Sequence, residues 1–130
     1  MSRSSLLLCI DDEALGLEIR KAVLESAGFR VLTALDGPAG LSLFREHSVQ
    51  GVILDYFMPE MNGCQVATEM RKERPETPIL LLSAYINLPS ELVDLVDFTV
   101  LKGDGPEKLI EKIGEMLEKH SGLEPWGEPV

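Results

Sequence analysis

Five short apolar runs punctuate the chain: LLLCI (6–10), VLTAL (31–35), VIL (52–54), ILLL (79–82) and FTVL (98–101). Runs so uniformly apolar predict strands of a parallel sheet covered on both faces, because a sheet with one wet face shows clearer alternation. Amphipathic segments fill the gaps. The first spans Glu13 to Ala27 and is closed by Gly28, which suits a left-handed C-terminal cap. The second opens at Asp36-Gly37-Pro38, with proline in the first turn and Leu41 and Phe44 spaced to face a core. The third begins after Asn62, carries Val66, Ala67 and Met70 inward before Arg71-Lys72, and is broken at Arg74-Pro75. A fourth, short one covers Pro89 to about Val96. The fifth runs from about Gly105 to Lys119 on a stripe of Leu109, Ile110, Ile113, Met116 and Leu117.

Five strand–helix units in this order predict an α/β fold, with right-handed crossovers and an open, doubly wound parallel sheet. The sequence contains no internal repeat. Its final segment, SGLEPWGEPV, is rich in Gly, Pro and Glu and reads as a tail, with Trp126 exposed or loosely packed. The expected organisation is one domain over 1–119 followed by a tail over 120–130.

Composition narrows the function. With 130 residues, 45% hydrophobic and 26% charged, the chain suffices for one packed core. Lys and Arg number 12 against 22 Asp and Glu, a formal charge of −10, so unassisted binding to nucleic acid or an anionic membrane meets repulsion. A divalent cation or a basic protein patch fits that charge. The apolar run Leu6–Ile10 is too short for a signal-peptide core and is stopped by Asp11, Asp12 and Glu13. No run approaches a membrane span. Cys9 and Cys64 form neither a disulfide framework nor a metal-binding spacing, and a reducing cytoplasm is the expected compartment.

Ligands of such sheets bind at the carboxyl ends of the strands, near the switch in strand order. The first run ends in Asp11-Asp12, the third in Asp55, the fourth in Ser83 and the fifth in Lys102, while the second offers the weaker Thr33 and Asp36. Taken singly, each has an ordinary explanation: Asp11 or Asp12 as a helix N-cap, Ser83 as a turn residue, Lys102 as a solvated lysine. Asp55, at the end of an oily strand beside Tyr56, Phe57 and Met58, is harder to dismiss. Three carboxylates converging at one edge repel strongly in a cleft of low dielectric. A hard cation relieves that repulsion, and carboxylates with water are the ligands Mg²⁺ prefers. Metal and ammonium together would neutralise a phosphoryl group, a hydroxyl would hydrogen-bond it, and a carboxylate would attack it.

Over residues 5–119 the sequence resembles the receiver domain of two-component response regulators. The likeness rests on the acidic pair in CIDDE, the LDYFMPEMNG block, Ser83 in LLLSA and Lys102 in VLKG. It implies a flavodoxin-like sheet of order 2-1-3-4-5. It also implies that Asp55 accepts a phosphoryl group from the phosphohistidine of a sensor histidine kinase or phosphotransfer protein. Asp12, Asp55 and the main-chain carbonyl of Phe57 would ligate Mg²⁺, with Asp11 acting largely through water. Ser83 and Lys102 would each hold a phosphoryl oxygen, and Pro59 and Gly63 would shape the loop before the third helix. The phosphorylated state would be passed to a downstream protein that the sequence does not identify, and a homodimer through the fourth and fifth helices is within the family's range. Such a domain is not an enzyme beyond its own phosphotransfer and autodephosphorylation. After residue 119 the sequence holds no DNA-binding or catalytic domain, so it reads as a stand-alone receiver or a fragment of a longer chain.

The chain also departs from the family pattern. Gly103 follows Lys102 where proline, often cis, is usual, so another path for this loop is expected. Thr99 occupies the place of the switch aromatic, and Phe98, one position away, faces the other side of its strand. The segment from Ser83 to Lys102 is a few residues short, which predicts a reduced fourth helix. Phe57 and Tyr85, each two residues beyond Asp55 or Ser83, occupy positions that in this family flank the path of the water that hydrolyses the phosphate, which implies slower spontaneous dephosphorylation. Two other readings compete. A phosphatase with an aspartate nucleophile would want a second aspartate at position 57, where phenylalanine stands. A receiver-like module that is never phosphorylated would not require the intact set of acids, hydroxyl and lysine.

Overall fold

The computed structural model describes residues 5–58, 60–85 and 87–121. Five strands alternate with five helices: β1 (Leu6–Ile10), α1 (Ala14–Ser26), β2 (Arg30–Ala34), α2 (Gly37–Glu46), β3 (Gly51–Asp55), α3 (Gly63–Glu73), β4 (Ile79–Ser83), α4 (Ser90–Leu95), β5 (Phe98–Leu101) and α5 (Pro106–Ser121). All strand pairs are parallel, in the order β2-β1-β3-β4-β5. The order reverses between β1 and β3, which opens a crevice at their carboxyl ends. The flavodoxin-like fold expected from the sequence is the fold observed.

Alternation along the strands builds two cores. Leu8, Ile10, Val52, Leu54, Ile79 and Leu81 face α2, α3 and α4, and meet Phe44, Val66, Met70 and Leu92. Leu7, Cys9, Ile53, Leu80, Leu82 and Val100 face α1 and α5, and meet Leu17, Leu24, Leu109, Ile113 and Met116. Complete burial of one such side chain contributes about 1.5–3 kcal/mol relative to exposure. Among the described residues, every buried side-chain nitrogen or oxygen has a hydrogen-bond partner.

Local signals explain the element ends. Gly28 ends α1 at a φ of 103°, the left-handed conformation expected there. Asp36 caps α2 by accepting the Ala39 N–H at 2.7 Å. Asn62 and Gln65 form a capping box at the start of α3. The fourth helix is reduced, as expected, to the six residues of α4. The tail from 122 onward, with Trp126, lies outside the described residues, as does Pro59. Among the described residues no helix is long and apolar enough to cross a membrane.

Candidate functional site

Strand register brings the acids to one edge. Ile10 pairs with Leu54, so Asp11 and Asp55 sit side by side at the ends of β1 and β3. Asp55 pairs with Leu82, and Ser83 with Leu101, so Lys102 follows one step beyond β5. Oxygen atoms of Asp11, Asp12 and Asp55 all lie within 4.8 Å of one another. Asp11 and Asp55 are buried and Asp12 is exposed. Lys102 Nζ lies 2.8 Å from Asp55 Oδ1 and donates to Asp11 Oδ2 at 3.4 Å.

Strand parity separates Ser83 from Asp11, Asp55 and Lys102. Successive residues point to opposite faces, so Asp11, Asp55 and Lys102 continue the alternation of Cys9, Ile53 and Val100, on the side of α1 and α5. Ser83 continues that of Ile79 and Leu81, on the opposite side. Its hydroxyl is turned into the loop, donating to the Tyr85 carbonyl at 3.0 Å and accepting the Tyr85 N–H at 2.9 Å. The structure unites Asp11, Asp55 and Lys102, joined by Asp12 from the loop beyond β1, with Ser83 at the same sheet edge but bonded locally. Asp36 is an N-cap and takes no part. Asp11 is more than a helix cap: its Oδ1 accepts the Glu13 N–H at 3.0 Å, but the N-cap position itself belongs to Glu13.

Electrostatics follow from this packing. Burial pushes the Asp55 carboxyl above its ordinary range; the Lys102 hydrogen bond pulls it down, and the charges of Asp11 and Asp12 push it up again. For Lys102, burial favours loss of the proton, but the hydrogen bond and charge of Asp55, with the charge of Asp11, prevail and raise it. Cys9, buried one residue before the end of β1, has its thiol pushed up to about 12, chiefly by burial, and is inert.

The surrounding loops are shaped for close approach. A Cβ on Gly63 would lie 3.0 Å from the Asp55 carbonyl and 3.1 Å from Tyr56 Cα, and the Gly63 N–H donates to the Tyr56 carbonyl at 2.9 Å. A side chain there would crowd the backbone at the β3 end, and glycine lets α3 start this close. After β5, Lys102–Asp104 form a single 3-10 turn ending in Gly105 at a φ of 93°, and no cis peptide occurs among the described residues. Phe98 packs against the α1–α5 core with Lys112 over its ring, while Thr99 is exposed. On the open side, Phe57 stacks edge-on with Tyr85, ring centroids 5.3 Å apart, and both rings are exposed. They line a cavity of about 560 Å³ with Tyr56, Leu88 and Pro89.

Sequence reasoning missed Arg20. Its NH1 donates to Asp11 Oδ2 at 3.1 Å. The available signal was its position: Arg20 falls between Leu17 and Leu24, on the buried stripe of α1, where a cation needs a buried anion.

The donor set suits Mg²⁺, being hard oxygens of three clustered carboxylates with an exposed member open to water. Comparison with known proteins agrees in kind. A family model described as "Response regulator receiver domain" matches residues 7–113. The chain is 33% identical over 116 residues to a probable transcriptional regulator ycf27 of Porphyridium aerugineum, covering 87% of this chain and 48% of that protein. It is 36% identical over 129 residues to the transcriptional regulatory protein GlrR of Escherichia coli K12, covering 95% of this chain and 29% of that protein. The chain thus spans about half the length, or less, of these curated relatives. Among solved structures, a CheY-like response regulator receiver domain protein from Methanospirillum hungatei JF-1 superposes with a TM-score of 0.87 at 25% identity, over 91% of this chain and 97% of that one. The response regulator protein TrrA from Thermotoga maritima, solved in complex with Mg²⁺-BeF, superposes with a TM-score of 0.82 at 33% identity, over 86% and 98%.

Proposed function

Because this chain belongs to the response regulator receiver domain family of two-component systems, we propose that it is a phosphoacceptor in which Asp55 takes a phosphoryl group from a histidine kinase or phosphotransfer protein. The observation that carries this reading is the meeting of Asp55 Oδ1 with Lys102 Nζ at 2.8 Å, beside two further carboxylates within 4.8 Å. An Asp55 oxygen attacks phosphorus, the bond from phosphorus to the donor's imidazole nitrogen breaks, and that nitrogen keeps the electron pair. The products are an aspartyl phosphate and a free histidine. Lys102 turns from the carboxylate to a phosphoryl oxygen. Ser83 releases Tyr85 and donates to another. Asp12, Asp55 and the Phe57 carbonyl would hold Mg²⁺, and Asp11 would act on it largely through water. When bound, the ion neutralises charge on the phosphoryl oxygens.

Receiver domains of response regulators interact with kinases and downstream effectors. The effector of this chain, and a homodimer through α4 and α5, belong to the same proposal, as does a cytoplasmic setting. The proposed organisation is one domain over 1–119 followed by a tail over 120–130.

Incubation with Mg²⁺ and acetyl phosphate tests the assignment. Intact mass is expected to rise by one phosphoryl group in the wild type and in no Asp55→Asn molecules. A folded wild type that gains none under saturating conditions makes the chain a binding module instead.

The Phe57–Tyr85 pair, its exposed rings edge-on at 5.3 Å, slows hydrolysis by crowding the path of the attacking water. Phe57→Asn and Tyr85→Ala are expected to shorten the lifetime of the phosphorylated protein, followed by mass after removal of the donor. Unchanged decay in both variants assigns the rings to rim packing.

A further inference from the structure

Asp11 holds two cations as well as a main-chain donor. Its side chain is 1% exposed. Oδ1 accepts the Glu13 N–H, while Oδ2 takes both Arg20 NH1 at 3.1 Å and Lys102 Nζ at 3.4 Å. Arg20 reaches it from within the buried stripe of α1, and its own side chain is only 14% exposed. With all groups ionised, three carboxylates face two cations, leaving one net negative charge at the site; without Arg20 there would be two.

An arginine keeps its charge at any pH at which the fold exists. Its repulsion of an incoming divalent ion is therefore relieved only by movement. Space for that exists. Arg20 lines a cavity of about 220 Å³ between α1 and the turn after β5, with Ile19, Val23, Val100, Pro106 and Leu109.

We propose that Arg20 is a resident counter-cation of the acidic site: it holds Asp11 in place in the metal-free protein and lowers the affinity with which Asp11, Asp12 and Asp55 take up Mg²⁺. The inference rests on the Mg²⁺ reading of the proposed function. Arg20 is a positioning residue, acting through Asp11 and through charge. A divalent ion must gain enough from Asp12 and Asp55 to displace Arg20 from Oδ2 or to accept its repulsion, so uptake is tuned to higher Mg²⁺ concentrations than the carboxylates alone would require.

Isothermal titration of the full chain with MgCl₂, after chelator treatment, tests this, with thermal melting in EDTA as a second readout. Arg20→Met, matched in length and apolar contact, is expected to bind Mg²⁺ about tenfold more tightly and to melt at a lower temperature in EDTA, because Asp11 loses a buried partner. Arg20→Lys, which keeps the charge, is expected to bind within about threefold of wild type. Arg20→Gln reports the same loss of charge should Arg20→Met fail to fold. A merely structural arginine would shift the melting temperature and leave the Kd of the folded protein unchanged, and that result overturns the proposal. Mg²⁺ uptake by neither wild type nor variants, with the fold intact, overturns both this inference and the metal reading beneath it.

Discussion

Asp55 is a carboxylate that the proposed chemistry needs and the fold penalises. Burial raises its pKa above the ordinary 3.8, so the native state holds this proton more tightly than the unfolded chain does. The ionised group therefore costs stability at neutral pH. That cost is present above the raised pKa and is relieved as the pH falls through the window between it and the ordinary value. The proposed Mg²⁺ uptake and phosphoryl acceptance would run the other way, because both would use the carboxylate, and they should fade on acidification through the same window. Asp55→Asn mimics the neutral form. In EDTA at pH 7 it is expected to melt about 2–5 °C above wild type, while accepting no phosphoryl group from acetyl phosphate. Lys102 keeps Asp11 as a partner in that variant. A lower melting temperature would mean that the Lys102–Asp55 pair outweighs the cost of burial.

At the scale of elements, the short α4 needs an anchor, and α3 supplies one. Arg71 donates to the carbonyls of Leu95, Pro75 and Thr77 and to the Asp97 carboxylate at 2.7 Å; the same Asp97 oxygen accepts the Ile79 N–H at 2.8 Å. One side chain thus ties the end of α3 to the starts of β4 and β5 and to the end of α4. Arg71→Met is expected to cost about 2–4 kcal/mol in urea unfolding, because it removes the cation beside a half-buried carboxylate and the donor to three carbonyls. A loss below about 1 kcal/mol would place the anchoring in apolar contacts such as that of Leu92 instead. The sequence put Arg71 at the polar end of a helix; that it closes a four-way junction depends on chain segments about 25 residues away. Element positions were more legible. Gly28, Asp36-Gly37-Pro38 and Asn62 mark helix ends by local chemistry, and local chemistry survives in the fold. The strand limits drifted by a residue where polar ends such as Asp55 and Ser83 continue the backbone ladder.

For the molecule as a whole, the site lies at the edge where strand order reverses, and any ligand held there ties β1, β3 and β5 together. Mass action then stabilises the native state, by about 2.7 kcal/mol at a ligand concentration one hundred times Kd. Beryllofluoride, a phosphoryl mimic, added with Mg²⁺ is expected to raise the melting temperature beyond Mg²⁺ alone. The added rise should vanish in Asp55→Asn. An equal rise in that variant would place the adduct elsewhere. The sequence alone determined the layered α/β fold, because uniformly apolar runs alternating with amphipathic ones have few ways to bury themselves, and it located the acids, hydroxyl and lysine at strand ends. Which of them touch was decided by tertiary structure. Register and pleat send Asp11, Asp55 and Lys102 to the α1–α5 side and Ser83 to the other, and helix packing carries Arg20 onto Asp11 across nine residues of chain. Such contacts depend on how faces are aligned in space, and no local pattern of residues encodes that alignment.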